Sequence, residues 1–103
     1  MKYINLTPHD IILNDGRVFP AEGSIARVQA SFSEFDENGV CEQQFGELTG
    51  LPAPEEGTLY ITSGLVLSAA KQAGRIDCVA PATGHPETKR EQGRIVSVPG
   101  FVR

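Results

Sequence analysis

The sequence predicts a mostly β to α+β domain, a small antiparallel barrel or sandwich with one helix. Three observations carry this. Short runs of β-forming residues alternate with Gly, Pro, Asn and Asp clusters along most of the chain. One stretch alone, SGLVLSAAKQAG, changes to helical spacing. The 103 residues, 40% of them apolar, suffice for one core and one domain, residues 1–103.

KYINL (residues 2–6) reads as a short strand that Pro8 ends or bends, because proline cannot donate to a ladder. DIILN resumes it, NDG supplies a turn, and RVF returns as the second arm of a small hairpin closed by Pro20 to Gly23. In SIARVQASF, Ala26, Val28, Ala30 and Phe32 share one face opposite Arg27, Gln29 and Ser31, the alternation of a half-buried strand. DENG marks a two-residue hairpin turn into VCEQQFGEL. TGLPAPEEG is a connection, and TLYIT a strand of strong β-formers. Leu65, Val66, Ala69 and Ala70 then give a helix with Ser63 as its N-cap and Gly74 as its stop. RIDCVA returns to strand, PATGHPETKRE is loop, QG is a turn, and RIVSV is the last strand, roughly six to eight strands in all.

The net charge of −4 argues against duplex DNA or an anionic membrane as partner, since either requires a basic face and the basic residues are scattered. No apolar run approaches the roughly 20 residues of a membrane span, and no charged-then-apolar leader opens the chain. Cys41 and Cys78, far apart in apolar settings, read as reduced, buried thiols of a cytoplasmic protein. A domain of this size has sheet edges to cover and a limited core, so a homo-oligomer, most simply a dimer, is expected.

Three places carry candidate chemistry. Asn5, Thr7 and His9 alternate around Pro8, and an imidazole projecting from a fixed bend is a donor, acceptor or proton carrier near neutral pH. The same residues are also what an ordinary hydrogen-bonded turn uses. Asp10 adjoins His9 but points away along a strand. Thr62, Ser63 and Gly64 join a strand to a helix whose first N–H groups lack intrahelical partners, which suits either an anion or a plain serine cap. Arg75 and Asp77 share a presumed strand face, either as a surface ion pair or as a reader of phosphate and hydroxyl or base groups. His85 sits in a loop and is expected to be solvated. No metal or other cofactor is expected: the two histidines have no ligand spacing, and no phosphate loop, dinucleotide fingerprint or serine elbow is present. Each histidine also lacks the Ser or Thr two residues on that a two-histidine phosphodiesterase uses.

INLTPHDI, with GLPAPEEGTLYITS, GRIDCVAP and QGRIVSVPGFVR, resembles a set of small phage, prophage and bacterial proteins sharing an N-terminal Asn-Leu-Thr-Pro-His. The resemblance spans most of the chain, but its specific part is Asn5 to His9. It implies that Asn5, Thr7, Pro8 and His9 form a shared feature. It also implies a phage context, in the cytoplasm of a bacterial host, where such proteins bind host factors or defence signals. The expectation is a non-enzymatic binding protein that sequesters a small polar, nucleotide-derived ligand in one pocket formed by His9, Ser63, Arg75 and Asp77. The alternatives are a small hydrolase or phosphodiesterase using His9, and a structural or protein-interaction component without a small ligand.

Overall fold

Four strands make the central sheet of the computed structural model, which describes residues 1–103. In chain order the elements are β1 (Lys2–Asn5), β2 (Ile11–Ile12), β3 (Val18–Phe19), β4 (Arg27–Phe32), β5 (Gln43–Thr49) and β6 (Thr58–Ile61), then α1 (Gly64–Gln72), β7 (Cys78–Pro81), β8 (Lys89–Glu91), β9 (Arg94–Ser97) and β10 (Phe101–Val102). The sheet order is β1-β6-β7-β10, with β1, β6 and β7 parallel and β10 antiparallel at the edge. β2–β3, β4–β5 and β8–β9 are separate two-stranded hairpins.

The chain is therefore mostly β with one helix, but the antiparallel barrel or sandwich is corrected to a mixed open sheet. No barrel closes. The cause lies in the β6–α1–β7 unit: a helix between two strands carries the chain back to its starting end, so the strands run parallel.

α1 forms where the sequence places it. Ser63 caps it, its Oγ accepting from the Val66 N–H at 3.2 Å. At the other end Gly74 adopts φ +85°, the Gly74 N–H donates to the Lys71 carbonyl and the Arg75 N–H to that of Ala70, a Schellman closure that glycine alone adopts cheaply.

Strand alternation then splits the core over the two sheet faces. Tyr60, Cys78 and Ala80 turn toward the helix and meet Leu6, Ala26, Val66, Leu67 and Ala70. Ile61 and Val79 turn the other way, onto Ile11, Leu13 and Val98. The small side chains Ala70, Cys78 and Ala80, all nearly inaccessible, let helix and sheet approach closely. Beneath the second face Tyr3, Phe19 and Phe101 form a trio with centroids 5.1 to 5.7 Å apart.

Several local expectations change. β4 is buried only at its base: Ala26 is 5% exposed and Val28 half-buried, whereas Ala30 and Phe32 face solvent. The pairing register of the β4–β5 hairpin shifts between the Val28 and Ala30 pairs, as at a bulge, and every residue beyond it from Gln29 to Val40 is exposed. Its turn is one residue longer than the two-residue form. The Asp36 N–H donates to the Val40 carbonyl, Asp36 Oδ1 accepts from the Asn38 and Val40 N–H groups, and Gly39 takes φ +79°. Cys41 lies on this hairpin and is only half-buried, while Cys78 is buried; both are free thiols. Burial pushes the Cys78 thiol pKa up, so it behaves as a small apolar side chain. Residues 89–91, read as loop, pair with β9 across Gln92-Gly93, where both residues take positive φ, as a two-residue hairpin turn requires. Phe101–Val102 is a strand that the sequence reading did not include. No helix is long and apolar enough to cross a membrane.

Candidate functional site

Because β1, β6 and β7 are parallel, their C-terminal ends deliver three connections to one end of the sheet: residues 6–10, Thr62 to the start of α1, and residues 82–88. A cleft of about 840 Å³ opens there. Crevices beyond the carboxyl ends of parallel strands are where open α/β sheets bind ligands.

The opening motif builds the first wall, and most of it works inward. Asn5 is 1% exposed. Its Nδ2 donates to the His9 and Phe19 carbonyls at 2.9 and 2.8 Å, and its Oδ1 accepts from the Thr7 N–H and hydroxyl at 3.0 and 2.7 Å. Every donor and acceptor position of that amide is thereby engaged by the chain itself. The Thr7 hydroxyl also lies 3.0 Å from the His9 carbonyl. The chain thus reverses around Pro8, with the His9 backbone held and its side chain exposed at the cleft. Asp10 does not orient that imidazole; its carboxylate accepts from the Ala21 N–H at 2.8 Å. Thr7 and His9 line the cleft, whereas Asn5 sits behind them as the residue that sets their bend.

The second wall is the start of α1. Thr62 is fully buried, its hydroxyl shared between the Ser63 and Val79 carbonyls at 3.1 and 3.2 Å. Ser63 and Gly64 are exposed beside it. The third wall is the loop after β7, where His85, on a loop and solvated as expected, lines the cleft with its side chain 46% exposed. Its Nδ1 accepts from the Glu87 N–H at 3.0 Å, which leaves Nε2 as the protonated donor of the neutral ring. The Glu87 carbonyl accepts from Asn14 Nδ2 at 2.9 Å, and the Thr88 hydroxyl donates to the Ala82 carbonyl at 2.7 Å, so the loop is tied at both ends.

Arg75 and Asp77 lie elsewhere, and the single four-residue pocket is corrected accordingly. They precede β7 rather than occupying it, at the opposite end of the sheet from Ala82. Five residues of extended chain separate the two ends by about 16 Å. Arg75 forks onto Asp77 with bonds of 2.9 and 2.8 Å and donates to the Pro52 carbonyl at 2.8 Å, so its guanidinium clamps the Pro-rich connection. Both side chains are largely buried, at 20% and 13% exposure. Ile76 between them points to solvent, 83% exposed.

The Arg75 hydrogen bonds hold the Asp77 carboxyl below its ordinary range, and Asp77 in turn raises Arg75. A depressed carboxyl pKa stabilises the fold above the unfolded value of about 3.9 and loses that contribution as pH falls through the folded one. Asp77→Asn is therefore expected to cost about 2 kcal/mol at neutral pH. Urea unfolding from pH 7 to pH 2 checks it: the gap between native and variant should narrow below about pH 4. A gap independent of pH would show that the carboxylate charge contributes nothing.

Comparison with family models, curated proteins and solved structures found no match to the chain. The sequence reading gives His85 only as a solvated loop residue, and it does not single out Thr83 and Ser97, which are polar cleft residues. The signal for His85 and Thr83 was present in the strand–helix–strand order of residues 58–81, which places the turns after both strands at one end.

Proposed function

We propose that the chain is a binding protein that holds one small ligand in the cleft at the C-terminal ends of β1, β6 and β7. The observation that carries this reading is the cleft itself. Its volume of about 840 Å³ falls within the usual range for small-molecule sites, roughly 300–1,000 Å³, and Leu67, Ala80 and Val98 give it an apolar floor. His9, Ser63 and His85 bring polar groups to it from three separate segments.

No Lys or Arg lines the cleft. This supports a ligand gripped through a flat, partly apolar body, and it moves a nucleotide-derived ligand from recognition by phosphate to recognition by base and sugar. The His85 Nε2–H serves a base or hydroxyl acceptor, and phosphates, where present, extend toward the start of α1 or into solvent. The phage-type opening supports a sequestering role, in which a host signal is held and returned unchanged.

Heat release of small molecules from protein purified out of bacterial cells, read by mass spectrometry, tests the proposal. Intact ligand is expected, and a panel of nucleosides and cyclic nucleotides should contain a compound that raises the melting temperature. Gly84→Phe should abolish that shift: Gly84 lines the cleft, is exposed, and has open space around the position of a Cβ. His85→Ala should weaken binding about tenfold, roughly 1.4 kcal/mol for one hydrogen bond. Recovery of a converted product would replace binding by catalysis, and a panel without any shift would end the small-ligand reading.

A further inference from the structure

The β4–β5 hairpin has no partner over its outer half. Every residue from Gln29 to Val40 is exposed, including Phe32 at 65%, Phe35 at 72% and Val40 at 59%. An isolated two-stranded hairpin in water is marginal at best, and apolar side chains gathered on one ordinarily mark a contact surface. The hairpin pairs with no other strand, so the outer edges of both its strands are open for pairing.

Charge says what fits it. From Arg27 to Thr49 the hairpin carries Glu34, Asp36, Glu37, Glu42 and Glu47 against the single base Arg27, which lies at its root opposite Thr49. The β8–β9 hairpin carries the reverse, Lys89, Arg90 and Arg94 against the single acid Glu91, with Ile95 and Val96 each 45% exposed beside them. None of these charges meets an opposite charge within the chain, whose ion pairs are Arg17–Asp15 and Arg75–Asp77; Arg90 donates to the Thr83 carbonyl at 3.0 Å. One molecule thus displays an acidic, phenylalanine-bearing arm and a basic hairpin with exposed aliphatic residues, neither of them facing an opposite charge.

We propose that the occupant of each is a second copy of this chain, the β4–β5 arm of one protomer lying on the β8–β9 hairpin of the other. A two-fold arrangement makes this contact twice and closes the assembly, leaving neither hairpin free. Attraction between the unlike charges sets the register of the pair, and burial of Phe32 and Phe35 against Ile95 and Val96, which also line the cleft, holds it beside the ligand site.

Light scattering and sedimentation of the full chain at about 50 µM should give twice the mass of one chain, with the dimer weakening as salt screens the charges. Two charge-reversed proteins make the decisive test: Glu37→Lys with Glu42→Lys on the arm, and Lys89→Glu with Arg94→Glu on the basic hairpin. All four side chains are exposed, so each protein should keep the native circular dichroism. Each alone should be monomeric, at least tenfold weaker in self-association. Their equimolar mixture should recover a dimer, because both of its contacts again join unlike charges. A separate Phe32→Ser, Phe35→Ser protein should be monomeric at any salt. A native chain that stays monomeric, a dimer indifferent to either reversal, or a mixture that does not re-associate would each overturn the proposal.

Discussion

Asn5→Ala is expected to remove about 4 kcal/mol of stability, a large part of what a domain of this size has. The substitution strips one donor each from the His9 and Phe19 carbonyls and removes the acceptor of the Thr7 N–H and hydroxyl, around a side chain that is itself buried. The His9 carbonyl keeps the Thr7 hydroxyl. Each buried polar group left without a partner costs about 1–3 kcal/mol. Asn5→Asp separates this account from simple loss of volume. It nearly preserves shape but turns a carboxylate oxygen toward two carbonyl oxygens, so at neutral pH it should be at least as damaging as alanine. Urea denaturation of both variants provides the check. Were Asn5 instead a ligand contact, the free protein would lose less than about 1 kcal/mol, the usual effect of changing a residue outside such networks.

Gly50→Ala should be nearly as costly, at about 3 kcal/mol and a fall in melting temperature of roughly 15 °C. Gly50 sits at φ +77°, and a Cβ there would overlap the Ile25 carbonyl oxygen. That carbonyl cannot swing away freely, since the next residue, Ala26, is buried and its N–H donates to the Leu6 carbonyl at 3.0 Å. Gly57 supplies the control. It has the same φ of +77° but open space around it, so Gly57→Ala should cost only the conformational penalty, about 1 kcal/mol. Equal losses at the two positions would mean that the close approach to Ile25 is soft and that the backbone angle is the whole effect.

These residues also show how far a sequence reading reaches here. The helix was legible from Ser63 to Gly74 because cap, apolar spacing and glycine stop act within a dozen consecutive residues. The same holds for the hairpin flanking Asp15-Gly16 and for the turn at Asn38-Gly39, although not for its length. Asn5 and Thr7 were legible as a unit but not in their role. A short amide beside a proline bend looks the same whether it faces a ligand or two main-chain carbonyls, and one of those carbonyls, Phe19, is fourteen residues away.

The sequence by itself determined the β-rich class, the single helix with both its ends, and the polar character of the Asn5–His9 bend, because each follows from interactions between near neighbours in the chain. Strand direction was misread as antiparallel, although the helix joining TLYIT to DCVA returns the chain for a parallel pair. Tertiary structure decided the rest. Parallel pairing of β1, β6 and β7 put His9, Ser63 and His85 at one end of the sheet and the Arg75–Asp77 pair at the other. An alternating pattern alone placed Ala30 and Phe32 beside Val28 in a core, yet no other part of the chain covers the outer half of β4–β5 and both are exposed. Periodicity reports which side chains share a face; whether anything covers that face depends on contacts distant in sequence.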